Sequence, residues 1–172
     1  MRKVGYLLLS VALLVTVGQV VHFSSALPDP VASHFNLSGE PNGWASRNTF
    51  IAIHLAVQLA TVAMLVVAAE YGRLLPDSLF NMPNKGYWLH ADRRDETLRY
   101  NGAILILVAG LTAIFLSGIF QLVYVANVRG DGVLPGYLFW PLFGGYLVSV
   151  LFPCGLALWK FGRLPKDALT EV

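Results

Sequence analysis

Four long apolar stretches, separated by polar segments, set the pattern of the chain. They run from Gly5 to Ala26, Phe50 to Gly72, Gly102 to Val125 and Tyr137 to Phe161. The hydrocarbon core of a bilayer, about 30 Å thick, takes about 20 apolar helical residues to cross. Each stretch meets that length, and charge is almost absent within them: Glu70 stands at the end of the second and Lys160 at the end of the fourth. The expected fold class is an all-α integral membrane protein, a single domain over residues 1–172 built as a four-transmembrane-helix bundle. Residues 27–49 form a polar loop and residues 73–101 a polar connector. The first span is longer than the apolar region of a cleaved signal peptide and is expected to be an anchor that doubles as the insertion signal.

Composition sharpens this expectation. Of 172 residues, 56% are hydrophobic and only 13% charged, about half the charge of an average soluble domain, near 25%. The formal charge of +2 does not point to nucleic acid, because the basic residues sit beside the apolar runs, where topology accounts for them. Arg2, Lys3, Arg73, Lys85, Arg93, Arg94, Arg99, Lys160, Arg163 and Lys166 fall on one side of a four-span arrangement, and Arg47 and Arg129 on the other. The positive-inside tendency then puts both termini and the connector in the cytoplasm (N-in, C-in). The 27–49 loop becomes extracytoplasmic, and its prolines and glycines predict an ordered turn structure. Rows of small residues, Ala52, Ala56 and Ala60 in the second span and Ala109, Ala113 and Ser117 in the third, predict close helix approaches. Pro141, Gly144, Gly145 and Pro153 predict a kink or locally open backbone in the fourth.

Polar side chains within the spans are costly in lipid and call for a role. Gln19 and His22 share a face of the first span, His54 and Gln58 of the second, Gln121 and Tyr124 of the third. Counted inward from the loop side, these pairs lie at similar depth, with His34 in the loop above. One expectation is a set of interhelical hydrogen bonds. The other is a small ligand site in the outer leaflet, for which His22, His34 and His54 supply imidazoles suited to a metal or to pH sensing; spacing alone does not bring them together, so the metal stays unknown and no cofactor is implied.

The connector holds turn formers at Asn81, Pro83, Asn84 and Gly86, then an aromatic patch of Tyr87, Trp88 and Leu89. Asp92 is placed to cap a short interfacial helix over "RRDETLR", with Arg93 and Arg94 near headgroups. An interfacial anchor is one reading of Tyr87, Trp88, Arg93 and Arg94; a docking surface for a membrane-protein partner is the other. No HExxH, GxSxG, P-loop or GxGxxG pattern occurs, and the single cysteine, Cys154, can form neither an internal disulfide nor a Cys-based zinc site. No enzyme is expected.

The loop "LPDPVASHFNLSGEPNGWASR" carries the most specific pattern: Leu27, Pro28, Pro30, His34, Phe35, Asn36, Gly39, Trp44 and Arg47 at fixed spacing. Over about Val20 to Leu59 it resembles the bacterial membrane domain of unknown function 1648, found in SdpI-type toxin-immunity proteins and their relatives. That domain usually carries an Asp just before the Trp segment; this chain has Asn42, with Glu40 nearby. The resemblance implies a bacterial cytoplasmic-membrane protein without enzyme activity, in which His34, Asn36 and Trp44 belong to an extracytoplasmic recognition or sensing surface, a peptide being one partner. A structural accessory subunit of a larger membrane complex is the alternative.

Overall fold

The computed structural model describes residues 1–128 and 132–165. Arg129 and Lys166, both used in the charge count, lie outside the described residues. The order of elements is α1 (Arg2–Phe23), β1 (Val31–Phe35), β2 (Pro41–Ala45), α2 (Arg47–Tyr71), two short 3-10 turns at Gly72–Leu74 and Asp77–Leu79, α3 (Lys85–Trp88), α4 (Ala91–Val128) and α5 (Gly136–Phe161). Four helices are long and apolar enough to cross a membrane: α1, α2 with its extension to Leu74, α4 and α5. The spans start earlier than hydropathy alone predicts, because flanking Arg2, Arg47 and Ala91 continue the helical backbone beyond the apolar stretch.

The arrangement is a hub more than a square bundle. Helix α4 makes the extensive approaches, with α1, α2 and α5. It is also the most buried, whereas α5 buries only Pro153 and Phe161. Between helices in lipid, close packing substitutes for the hydrophobic drive. Gly5 and Gly110 provide it for α1 and α4: a Cβ on Gly110 would sit 2.7 Å from the Gly5 carbonyl oxygen, and one on Gly5 2.7 Å from the backbone of Ile106. Ala109, Ala113 and Ser117 are buried as the small-residue row requires, but Ala52, Ala56 and Ala60 are exposed. Helix α2 instead turns Phe50, Gln58 and Val62 inward; this row lies on the opposite side of the helix, and alanine faces lipid at little cost. Pro141 and Pro153 both lie inside a continuous α5.

The separate short interfacial helix over 93–99 is not present. Those residues are the first turns of the 38-residue α4, about 57 Å long at 1.5 Å per residue and so longer than a bilayer core. Gly102 does not break it; its missing side chain lets α4 come within contact of the Ala69 carbonyl, 2.8 Å from where a Cβ would stand. The connector folds back on the helix ends. Arg94 donates to Asp77 Oδ1 at 2.9 Å and to the carbonyls of Arg73 at 2.9 Å and Leu75 at 2.8 Å. Asn84 Nδ2 and Trp88 Nε1 both donate to the Phe161 carbonyl at 2.9 Å, satisfying one of the carbonyls left open at the end of α5. Arg2, Tyr6 and Glu70 meet at the same end, linking α1 to α2.

Candidate functional site

At the opposite end, the loop between α1 and α2 is a two-stranded antiparallel hairpin. Its register is Val31↔Ala45, Ala32↔Trp44, His34↔Gly43 and Phe35↔Pro41, with irregularities on both sides of His34. The turn is organised by Asn36. Its Oδ1 accepts from the amides of Ser38 at 2.9 Å and Glu40 at 3.0 Å, and its Nδ2 donates to Glu40 Oε2 at 3.0 Å. Such side-chain-to-backbone bonds are how asparagine fixes turns. Gly39 follows at φ +86°, a left-handed conformation that glycine adopts without strain. Across the hairpin His34 Nδ1 meets Asn42 Oδ1, so the position where the resembled domain usually has Asp is the partner of the loop histidine.

Three devices hold the hairpin on the helices. Leu27 and Val31 are buried with Phe50, Phe120, Val123 and Tyr124; burying such side chains contributes about 1.5–3 kcal/mol each. Asn127, on the last turn of α4, accepts from the Ala32 amide and donates to the Ala32 carbonyl, both at 2.9 Å, and so takes the place of a neighbouring strand. The Leu134 amide donates to the Gly39 carbonyl at 2.8 Å, tying the turn to the segment before α5. Ser46 completes the junction by capping α2, its hydroxyl accepting from the Thr49 amide at 3.2 Å.

Between the hairpin, α4 and the start of α5 lies a cleft of about 510 Å³. Ser33, His34, Asn36 and Asn42 supply polar groups to its lining, while Phe35, Ile119, Phe139 and Trp140 are among its apolar residues. A pocket with an apolar body and a few convergent polar groups is the usual form of a small-ligand site. Trp44 is not among its lining residues and is 59% exposed on the hairpin.

Beneath the hairpin, polar side chains of three helices meet. Gln58 Nε2 donates to Thr16 Oγ1 at 2.8 Å, and Thr16 Oγ1 lies 2.8 Å from Ser117 Oγ. Gln19 Nε2 donates to the Ser117 carbonyl and to Gln121 Oε1, both at 3.1 Å. The structure therefore brings Gln19, Gln58 and Gln121 together through Thr16 and Ser117, neither of which was singled out as polar glue in the sequence. The histidines do not join them in one group. His22 is exposed at the end of α1 beside Phe23, His34 is in the hairpin, and His54 lies against Phe120, ring centroids 4.7 Å apart. Among the described residues, His, Cys, Asp and Glu form no group of three or more that could hold a metal ion. At the connector end, Trp88 packs on Phe161 and Arg93 lies 4.2 Å above the Tyr87 ring, while the Arg94 guanidinium is consumed by the clamp described above.

Fold and sequence together define a multi-pass α-helical membrane protein. Residues 11–59 match the family model described as a domain of unknown function, DUF1648. The match supports a domain of that kind spanning most of α1, the hairpin and the first half of α2. No curated protein and no solved structure matches the chain.

Proposed function

We propose that this is a non-enzymatic protein of SdpI-like type in the bacterial cytoplasmic membrane, with both termini in the cytoplasm, and that its hairpin cleft recognises an amphipathic extracytoplasmic molecule such as a toxin peptide. The cleft is the observation that carries the reading: a hairpin fixed on three sides presents His34, Asn36 and Asn42 beside Phe139 and Trp140, a polar edge on an apolar wall. The ten-to-two distribution of Lys and Arg supports the orientation. The test is survival of a sensitive bacterial host challenged with membrane-active peptides. The unaltered chain should protect, and His34→Ala and Trp140→Ala should reduce protection while the amount of protein in the membrane is unchanged. Equal protection by the variants refutes recognition by the cleft.

A structural accessory subunit is the second reading. It rests on α5, whose Val148, Leu151, Phe152 and Trp159 are exposed along one side. Gentle extraction and native mass measurement separate the two: constant stoichiometry with other subunits favours the second reading, and a chain that travels alone favours the first.

A further inference from the structure

A second pocket, of about 230 Å³, lies at the connector end, enclosed by the end of α2, the base of α4 and the N-terminus of α1. We propose that it binds the phosphate group of an anionic molecule, supplied by a lipid headgroup or by a free phosphate. The charge balance is the first argument. Arg2, Arg73 and Arg99 line the pocket with Glu70 and Asp95, a net charge of +1 from three cations and two carboxylates. Glu70 is already engaged by Arg2 and Tyr6. The guanidinium groups of Arg73 and Arg99 make no direct hydrogen bond or ion pair among the described residues, Arg73 being drawn to Glu70 only through space, whereas that of neighbouring Arg94 makes three. Of the four connector arginines, the fold thus uses Arg94 in the clamp and Arg93 over the Tyr87 ring, and leaves Arg73 and Arg99 on the pocket lining with Asp95.

Position and shape are the second argument. The apolar part of α4 begins at Gly102, and Arg99 precedes it by one turn, so the pocket straddles the boundary between apolar and polar layers where lipid phosphates reside. Its wall includes Ala68, Leu98 and Leu105, and Asn101 adds amide donors. Gly102 and Ala69, which also line it, bring α4 and α2 together there, a Cβ on Gly102 standing 2.8 Å from the Ala69 carbonyl oxygen. Basic pockets between membrane helices are a recurrent form of headgroup site, because guanidinium groups pair with phosphate oxygens in a medium that screens them weakly.

The experiment uses the full chain in nanodiscs of phosphatidylcholine with a minority of phosphatidylglycerol, reading retained lipid by native mass spectrometry. The unaltered chain should retain phosphatidylglycerol over phosphatidylcholine. R73Q/R99Q should lower that retention about thirtyfold, the combined effect of two interfacial arginines at roughly fivefold each. K3Q/K85Q, which removes two cations at the same end that do not line the pocket, should leave it unchanged. In pure phosphatidylcholine nanodiscs, phosphorus NMR then reports whether inorganic phosphate binds at millimolar concentration. Binding there that R73Q/R99Q abolishes identifies a soluble phosphate as a source; retention of phosphatidylglycerol alone identifies the lipid. An equal loss in K3Q/K85Q, or binding of neither probe, overturns the proposal. Should R73Q/R99Q not fold, the unaltered chain decides: equal retention of the two lipids overturns it.

Discussion

Asn127→Ala is the sharpest test of how the hairpin is held. Asn127 satisfies both backbone groups of Ala32 at 2.9 Å and also donates to the Val123 carbonyl. Ala32 is only 6% exposed, so its N–H and C=O are left without partners when the amide is removed. An unsatisfied buried polar group costs about 1–3 kcal/mol. Two such groups, partly rehydrated because the hairpin lies at the end of the helices, give about 2–4 kcal/mol, or roughly 30- to 1,000-fold in the local opening equilibrium. Hydrogen exchange resolved at Ala32 reads that equilibrium directly. Asn127→Asp separates the two bonds, since a carboxylate accepts from the Ala32 amide but cannot donate to its carbonyl; exchange should fall between the alanine variant and the unaltered chain. If Ala32 exchanges equally slowly in Asn127→Ala, the side-chain clamp does not hold the hairpin, and burial of Leu27 and Val31 suffices.

Three further substitutions probe other contacts. Gln58→Leu removes the amide bond to Thr16 but leaves the Thr16–Ser117 pair; bonds of this kind in membranes contribute roughly 0.6–2 kcal/mol, and detergent-titrated unfolding should show a loss in that range. Gly110→Leu places a side chain where even a Cβ meets the Gly5 carbonyl oxygen at 2.7 Å; α1 must separate from α4, and the variant should aggregate on extraction where Ala103→Leu, at a half-buried position on the same helix, does not. Gly39→Ala combines a left-handed residue, about 1–2 kcal/mol less favourable for alanine, with a Cβ 2.5 Å from the Leu134 carbonyl oxygen. It should loosen the hairpin turn from the segment before α5, seen as faster exchange of the Leu134 amide.

What the sequence makes legible is what repeats along it. The four spans follow from runs of apolar residues, because lipid selects for nothing more specific. Hydropathy cannot mark the start of α4, since Ala91–Asn101 is polar yet helical and no strong breaker separates it from Gly102. The small-residue row misleads about which side of α2 faces inward, because alanine is acceptable both to lipid and to a close helix contact; Gln58, costly in lipid, marks the buried face with Phe50 and Val62. The proline, glycine and asparagine content of residues 27–49 signals turns, but strands of five residues with an irregular register lack the alternation that would announce a hairpin. Gln19, Gln58 and Gln121 stand out as amides within apolar runs. Thr16 and Ser117 do not, because single hydroxyls are common in such helices, and Asn127 is disguised by its place beside a polar turn.

The hub position of α4 has a consequence for the order of synthesis. Helices α1 and α2 leave the ribosome first, and their hairpin already links them. Gln58 then has Thr16 within reach, but both hydrogen bonds of Gln19 go to residues of α4, and the strand-like partner of Ala32 is the last turn of that same helix. The first two spans are therefore a half-finished product with an amide group and a strand edge still waiting. The third span supplies what both lack, its leading glycines against α1 and α2 and its trailing asparagine on the hairpin.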